Sequence, residues 1–215
     1  MKNGRHTATA AVLSTLGVAA AAWVVSVRQM SAGDMGGGVG SFESFVGLWV
    51  TMMTAMMLPG AAPAVIRRAQ ASARLVDVPL FVGSYLALWT LVGIAVYALY
   101  RPSGFLAPGL VAIAAGIYEL TPLKQRFRRG CRESPRSGIE FGLNCVGSSM
   151  GLMLMLVALG LMSVTWMFVI AALVLAQKLL PPNPAIDVPL AIAIIGLGVL
   201  IVLAPSSVPG FMPPM

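Results

Sequence analysis

Residues Trp49–Pro63 read WVTMMTAMMLPGAAP. The stretch is apolar and sets Met52, Met53, Met56 and Met57 within six positions. Met52 and Met56 are four residues apart, as are Met53 and Met57, so a helix stacks each pair on one side. Trp49 lies one turn earlier. Pro59, Gly60 and Pro63 follow while the segment is still of membrane length. A proline lacks the amide donor and clashes with the preceding turn, which predicts a kink or a break at Pro59. A second methionine-rich run, Met150, Met153, Met155, Met162 and Met167, follows about a hundred residues later. The two runs are expected to face each other.

The rest of the chain says which solvent these segments meet. Of 215 residues, 58% are hydrophobic and 10% charged, and the mean hydropathy is +0.89. A water-soluble domain keeps roughly 25% charged residues. The apolar runs are continuous, not alternating, so they are read as helices whose backbone groups are satisfied internally in lipid. The expected fold class is an all-α membrane protein, a polytopic bundle of about seven transmembrane helices.

The spans are placed at Thr7–Val27, Phe42–Ile66, Val78–Leu99, Phe105–Leu123, two within Ile139–Leu180, and Ile186–Leu203. The first exceeds the 7–15 residues of a signal-peptide core and is read as a span. Residues 28–41 form a Gly-rich link expected not to hold helix. Ile139–Leu180 would measure about 63 Å as one helix, twice the hydrocarbon thickness, so it crosses twice with a turn at Gly160-Leu161-Met162-Ser163. The basic run at 124–136 is read as a charged link. Three segments result: 1–41, the first span and outer loop; 42–180, the helical core; 181–215, the last span and a Pro-rich tail.

With the N-terminus cytoplasmic and the C-terminus outside, twelve of the fourteen lysines and arginines lie on the inner side, leaving Arg28 and Arg101 outside. That asymmetry is the positive-inside pattern of a multi-pass membrane protein and supports both the span count and the orientation. The net charge of +7 is thereby assigned to topology, and no nucleic-acid partner is expected. Cys131 and Cys145 fall on the reducing side, where a disulfide is not expected. The single histidine, His6, lies in the N-terminal tail, which removes histidine-ligated sites from the interior.

Thioether sulfur is soft and neutral, so methionine clusters suit Cu(I) over zinc, magnesium or calcium. The same side chain is also a flexible apolar gap-filler. Glu119, the one acid placed inside the hydrocarbon, is a candidate metal ligand or proton acceptor, or else pairs with Lys178. Cys145, in the inner half of its span, is a strong Cu(I) ligand if ionised. No phosphate loop, nucleophile–base pair or dinucleotide motif is present, so an enzyme is not expected.

Several motifs together carry a family resemblance. They are Trp49-Val-Thr-Met52-Met53-Thr-Ala-Met56-Met57-Leu58-Pro59, Tyr118-Glu119-Leu120-Thr121-Pro122-Leu123-Lys124, Cys131-Arg132, Ser134-Pro135 and Gly142-Leu143-Asn144-Cys145-Val146-Gly147. Gly160, Met162, Trp166 and Lys178-Leu179 extend the match, which covers roughly residues 42–180. The chain resembles the bacterial predicted metal-binding integral membrane proteins, domain of unknown function 2182. It departs from their pattern at Ser148, Ser149 and Met150, where paired cysteines and a tryptophan are usual. Glu140 stands for a histidine and Gln177 for an acid. The candidate metal residues that remain are Met52, Met53, Met56, Met57, Glu119, Cys145, Met153 and Met162.

The expected function is binding, delivery or transport of Cu(I) through a Met-rich intramembrane site. Its partners are the lipid bilayer and a copper donor or acceptor protein. The alternative is a non-catalytic subunit or assembly factor of a larger membrane enzyme complex, with the methionines as packing.

Overall fold

The computed structural model describes residues 2–31, 41–71, 76–99, 108–133, 137–159, 164–180 and 183–204. Its helices are α1 (Lys2–Ser31), α2 (Phe42–Ala71), α3 (Asp77–Leu99), α4 (Pro108–Glu119), α5 (Pro122–Arg132), α6 (Gly138–Leu159), α7 (Val164–Leu179) and α8 (Pro184–Leu203). No strand occurs among the described residues. Five of these helices contain stretches long and apolar enough to cross a membrane: Thr9–Ser31, Phe42–Ala71, Asp77–Leu99, Gly138–Val157 and Pro184–Leu203. The apolar helices α4 and α7 are shorter, at 12 and 16 residues. Twelve residues rise only about 18 Å, well under the hydrocarbon thickness. The turn expected at 160–163 lies outside the described residues, as do most of the Gly-rich link and the Pro-rich tail.

The chain divides into two compact units. One comprises Met1–Tyr100 with Gly130–Asn144, the other Arg101–Arg129 with Cys145–Met215.

In the first unit α1 packs along α2, and α2 along α3. Every residue from Met52 to Leu58 is buried, so this stretch of α2 has no free face. Such all-round burial explains why the segment is apolar without a helical stripe. Trp49 ties α2 to α3: its indole N–H donates to the Trp89 carbonyl at 2.8 Å. Gly93, one turn beyond Trp89, leaves room for that indole, since a Cβ there would overlap the ring. Phe45 stacks on Trp49 at 5.8 Å between ring centroids. At the start of α6, Phe141 packs against Phe81 and Tyr85, 5.6 and 5.3 Å away by centroid.

Two expectations for this unit need correction. α2 does not break at Pro59; it continues as helix through both Pro59 and Pro63 to Ala71. Each proline deletes one amide donor and leaves the rest of the ladder intact. α1 also continues past residue 28 to Ser31. Arg28-Gln29-Met30 are adequate helix formers, Met30 is buried, and the Gln29 carboxamide oxygen accepts from the Thr51 hydroxyl on α2 at 3.2 Å.

In the second unit α4 packs along α8 through small residues. A Cβ on Gly198 would stand 2.7 Å from the Gly109 carbonyl oxygen and 2.8 Å from the Ile113 amide nitrogen. One on Gly116 would stand 3.0 Å from the Ala191 carbonyl oxygen. Ala112 and Ala191 complete a seam at 0% exposure. Without a hydrophobic drive between helices in lipid, this close backbone approach is a main source of association. α8 starts on the Asn183 cap, whose side-chain oxygen accepts from the Ala185 amide at 3.0 Å, with Pro184 in the first turn.

The basic run expected to be a link is helical over Pro122–Arg132. The chain turns through Leu120 and Thr121, whose amides donate to the Ile117 and Tyr118 carbonyls at 3.1 and 3.0 Å. Pro122 then opens α5, an arrangement suited to a helix start.

The α4–α8 seam predicts opposite outcomes for two glycines on one helix. Gly198→Leu forces the backbones apart and is expected to cost ~1–3 kcal/mol. Gly196→Leu meets open space and is expected to change little. Thermal unfolding of both variants in detergent checks this.

Candidate functional site

Met52, Met53, Met56 and Met57 are 0–2% exposed. At 100° per residue they occupy an arc of about 140° around α2, with Trp49 at its middle one turn before. All four lie in the first unit. Met153, Met155 and Met167 are buried at 3% exposure or less and belong to the second unit. Met162 lies outside the described residues. Among the described residues no group of three or more His, Cys, Asp and Glu side chains is arranged to hold a metal. The clustered soft donors are thioethers.

Cys145, on α6, is fully buried. The Lys178 ammonium on α7 donates to its sulfur at 2.8 Å. Ser148 and Ser149, which stand where the resembled family carries cysteines, turn back and donate to the Cys145 carbonyl at 2.9 and 2.7 Å. That local bonding uses their hydroxyls on the helix itself. Cys145 is therefore the thiol of this turn, and a cation already faces it.

Glu119, the last residue of α4, is 3% exposed. It pairs with Lys124 on α5, whereas the structural alternative raised from sequence was a pair with Lys178. The reason is local: the two-residue turn before α5 brings Lys124 back onto the end of α4, while Lys178 is taken by Cys145. Gln177 closes the group, donating through Nε2 to Glu119 Oε2 at 2.8 Å and accepting from Lys124 Nζ at 3.0 Å. An acid in place of Gln177 would set two carboxylates against the one Lys124 ammonium, so the neutral carboxamide preserves charge balance here. Glu119 Oε1 has no hydrogen-bond partner among the described residues. It is the buried carboxylate atom open to a ligand. Burial pushes the Lys124 ammonium below the ordinary lysine range, against the pull of the Glu119 carboxylate.

A second buried pair was not foreseen. Arg128, one turn after Lys124, donates through Nη1 to both carboxylate oxygens of Asp187 at 2.7 Å. Its Nη2 donates to the Gln177 carbonyl at 2.9 Å, capping the end of α7. Asp187 is 6% exposed in the first turn of α8. Glu119 is thus not the only buried acid of the apolar segments. The Asn183-Pro184 helix start and Asp187 one turn later were legible as an N-terminal signal; the arginine that neutralises Asp187 was not. Tyr118 adds a further tie, donating to the Gly147 carbonyl at 2.6 Å. The bare Gly147 backbone leaves room for the Phe127 ring.

A sequence-family profile described as PpoB2, copper chaperone, matches residues 46–201, well over half of the chain. No curated protein and no solved structure matches it. The matched span takes in the methionines of α2, the Glu119–Lys124 pair and Cys145.

Removing one member of a buried pair leaves an uncompensated charge. Lys124→Met is expected to cost ~3–5 kcal/mol. Combining it with Glu119→Gln is expected to restore most of that loss. A double-mutant cycle on unfolding in detergent checks the coupling; additive losses would show that the pair is not its source.

Proposed function

The chain belongs to the PpoB2 copper-chaperone family, and on that premise we propose that it binds Cu(I) within the membrane and delivers it to a copper-requiring partner protein. Copper is the cargo, and the protein acts as a carrier, not a catalyst. The single observation supporting this reading most directly is the complete burial of four thioethers on one arc of α2. A monovalent soft cation leaving water needs donors that are strong for it and carry no charge of their own. Thioether meets both requirements, whereas a carboxylate or ammonium at the same place would cost several kcal/mol to bury.

Met52 with Met56, and Met53 with Met57, supply the thioether station, each pair spaced to place two sulfurs on one side of the helix. Cys145 supplies a second, thiol station in the other unit. A thiolate binds Cu(I) more strongly than a thioether, and the Lys178 side chain donates to this sulfur at 2.8 Å. Cu(I) binding there would take the deprotonated sulfur and release the thiol proton, and Lys178, only half-buried, can turn away from it. Met153 belongs to the same unit as Cys145 and is the nearest in kind of its soft donors. Met162 completes the set proposed from sequence. Glu119 Oε1, held beside Lys124 and Gln177, offers a hard oxygen that is a poorer match for copper, so its part is secondary.

The charge asymmetry supports a cytoplasmic N-terminus, and the family resemblance given above implies a bacterial inner membrane. In that orientation the Cys145 station lies in the inner half and the α2 methionines lie near mid-depth.

Replacing Met53, Met56 and Met57 by Leu keeps the apolar volume within the range cores tolerate and removes three sulfurs. Copper retained after anaerobic loading with Cu(I) and gel filtration is expected to fall by at least about half, since soft-ion affinity resides in sulfur. Ag(I) should behave the same way. Cys145→Ser should lower retention independently. Unchanged metal content in the triple variant contradicts the proposal.

A further inference from the structure

The helix α5 carries Lys124, Arg126, Arg128, Arg129 and Arg132 and no acid. These five cations divide into two populations. Lys124 and Arg128, one turn apart, are buried and neutralised by Glu119 and Asp187. Arg126, Arg129 and Arg132 follow one another at intervals of three, so they share a side of the helix. All three are exposed, and none makes a hydrogen bond or ion pair among the described residues.

The buried pairs fix where this exposed stripe sits. Glu119 is the final residue of the apolar helix α4. Gln177 and Leu180, whose carbonyls accept from Arg128 at 2.9 and 3.4 Å, stand at the end of the apolar helix α7. Asp187 is in the first turn of the apolar helix α8. One turn of α5 is therefore tied to the ends of three apolar helices at a single level. Beside that level Ile117 on α4 and Val188 and Ile192 on α8 expose apolar side chains. Leu120 and Leu123, 45% and 52% exposed, continue that apolar surface to the start of α5. Apolar side chains beside a row of arginines are the arrangement of a helix lying in the membrane interface.

We propose that α5 is a docking surface for anionic phospholipid headgroups, with Arg126, Arg129 and Arg132 holding the phosphodiesters and Leu120 and Leu123 seated among the acyl chains. The argument for lipid over other anionic partners is position: the stripe is anchored at the ends of apolar helices, of which α8 is long enough to cross a membrane. The guanidinium fork suits phosphate oxygens. Lipid held there also bears on the fold, since α5 reaches α4, α7 and α8 through Lys124 and Arg128. This assignment does not depend on copper, so it stands or falls separately from the delivery proposed above.

The test uses the whole chain, purified in mild detergent and incubated with phosphatidylglycerol or phosphatidylcholine. Lipid retention is measured by native mass spectrometry and unfolding temperature by a thermal ramp. Wild type is expected to prefer phosphatidylglycerol, each arginine adding roughly fivefold, and to lose most of that preference near 1 M salt, where the screening length falls to about 3 Å. The Arg126→Gln/Arg129→Gln/Arg132→Gln variant changes no buried residue and should unfold like wild type in phosphatidylcholine while binding both lipids equally. Should that variant not fold, the salt dependence of wild type decides alone. Equal retention of the two lipids by wild type, or a preference that survives in the triple variant, overturns the proposal and leaves the stripe to an acidic protein. Inorganic phosphate that stabilises the protein as well as phosphatidylglycerol does would reassign it to the free ion and overturn it equally.

Discussion

Met52 to Leu58 form a stretch of α2 with neither lipid nor water on any side, and that enclosure governs what chemistry the helix can offer. A buried charge at such a place needs an opposite charge, and a buried hydroxyl needs an acceptor. Thr54 obeys the rule by donating to the Val50 carbonyl at 2.7 Å. Thioether sulfur escapes it, being apolar enough to pack and soft enough to bind Cu(I). Trp49 holds the stretch in place through its bond to the Trp89 carbonyl, and Gly93 makes room for it. The same residues therefore serve packing and, on the reading given above, metal.

The second unit meets the same constraint with charges. Glu119, Lys124, Arg128 and Asp187 are all buried, and their formal charges cancel. Such an arrangement costs more to build than an apolar core of the same volume but is strongly destabilised when broken. It fixes where α5 lies and holds the ends of α4, α7 and α8 together. Gln177 sits between the pairs, bonding Glu119 and Lys124 with its side chain and Arg128 with its carbonyl. Its neighbour Lys178 faces Cys145. One turn of α7 thus reaches both the charged group and the thiol.

Much of this was legible in the sequence. Continuous apolar runs gave the helices of all but one segment, because in lipid a backbone has little alternative to helix. Single-residue burial was legible as well: the methionines of α2, Cys145 and Glu119 were placed inside the apolar segments and are buried. What failed were partnerships. Lys124 and Arg128 were read as topology signals because lysine and arginine are seldom buried; nothing local announces that Asp187, 59 residues away from Arg128, neutralises one of them. The helix α5 went unseen for the same reason: its density of charge hid the Thr121-Pro122 start. Of the kink or break expected at Pro59, the break does not occur, since a proline in a packed helix loses a hydrogen bond without ending it. Where methionine sulfur meets metal has no sequence signature beyond spacing.

Family membership and enclosed thioethers converge on copper, and the claim at the centre is that sulfur, not oxygen or nitrogen, surrounds the ion. Copper K-edge X-ray absorption on the Cu(I)-loaded protein reads this directly. The account predicts a first shell made of sulfur that loses scatterers when the α2 methionines are replaced by leucine. A first shell of oxygen or nitrogen, or a sulfur shell indifferent to those replacements, would contradict it.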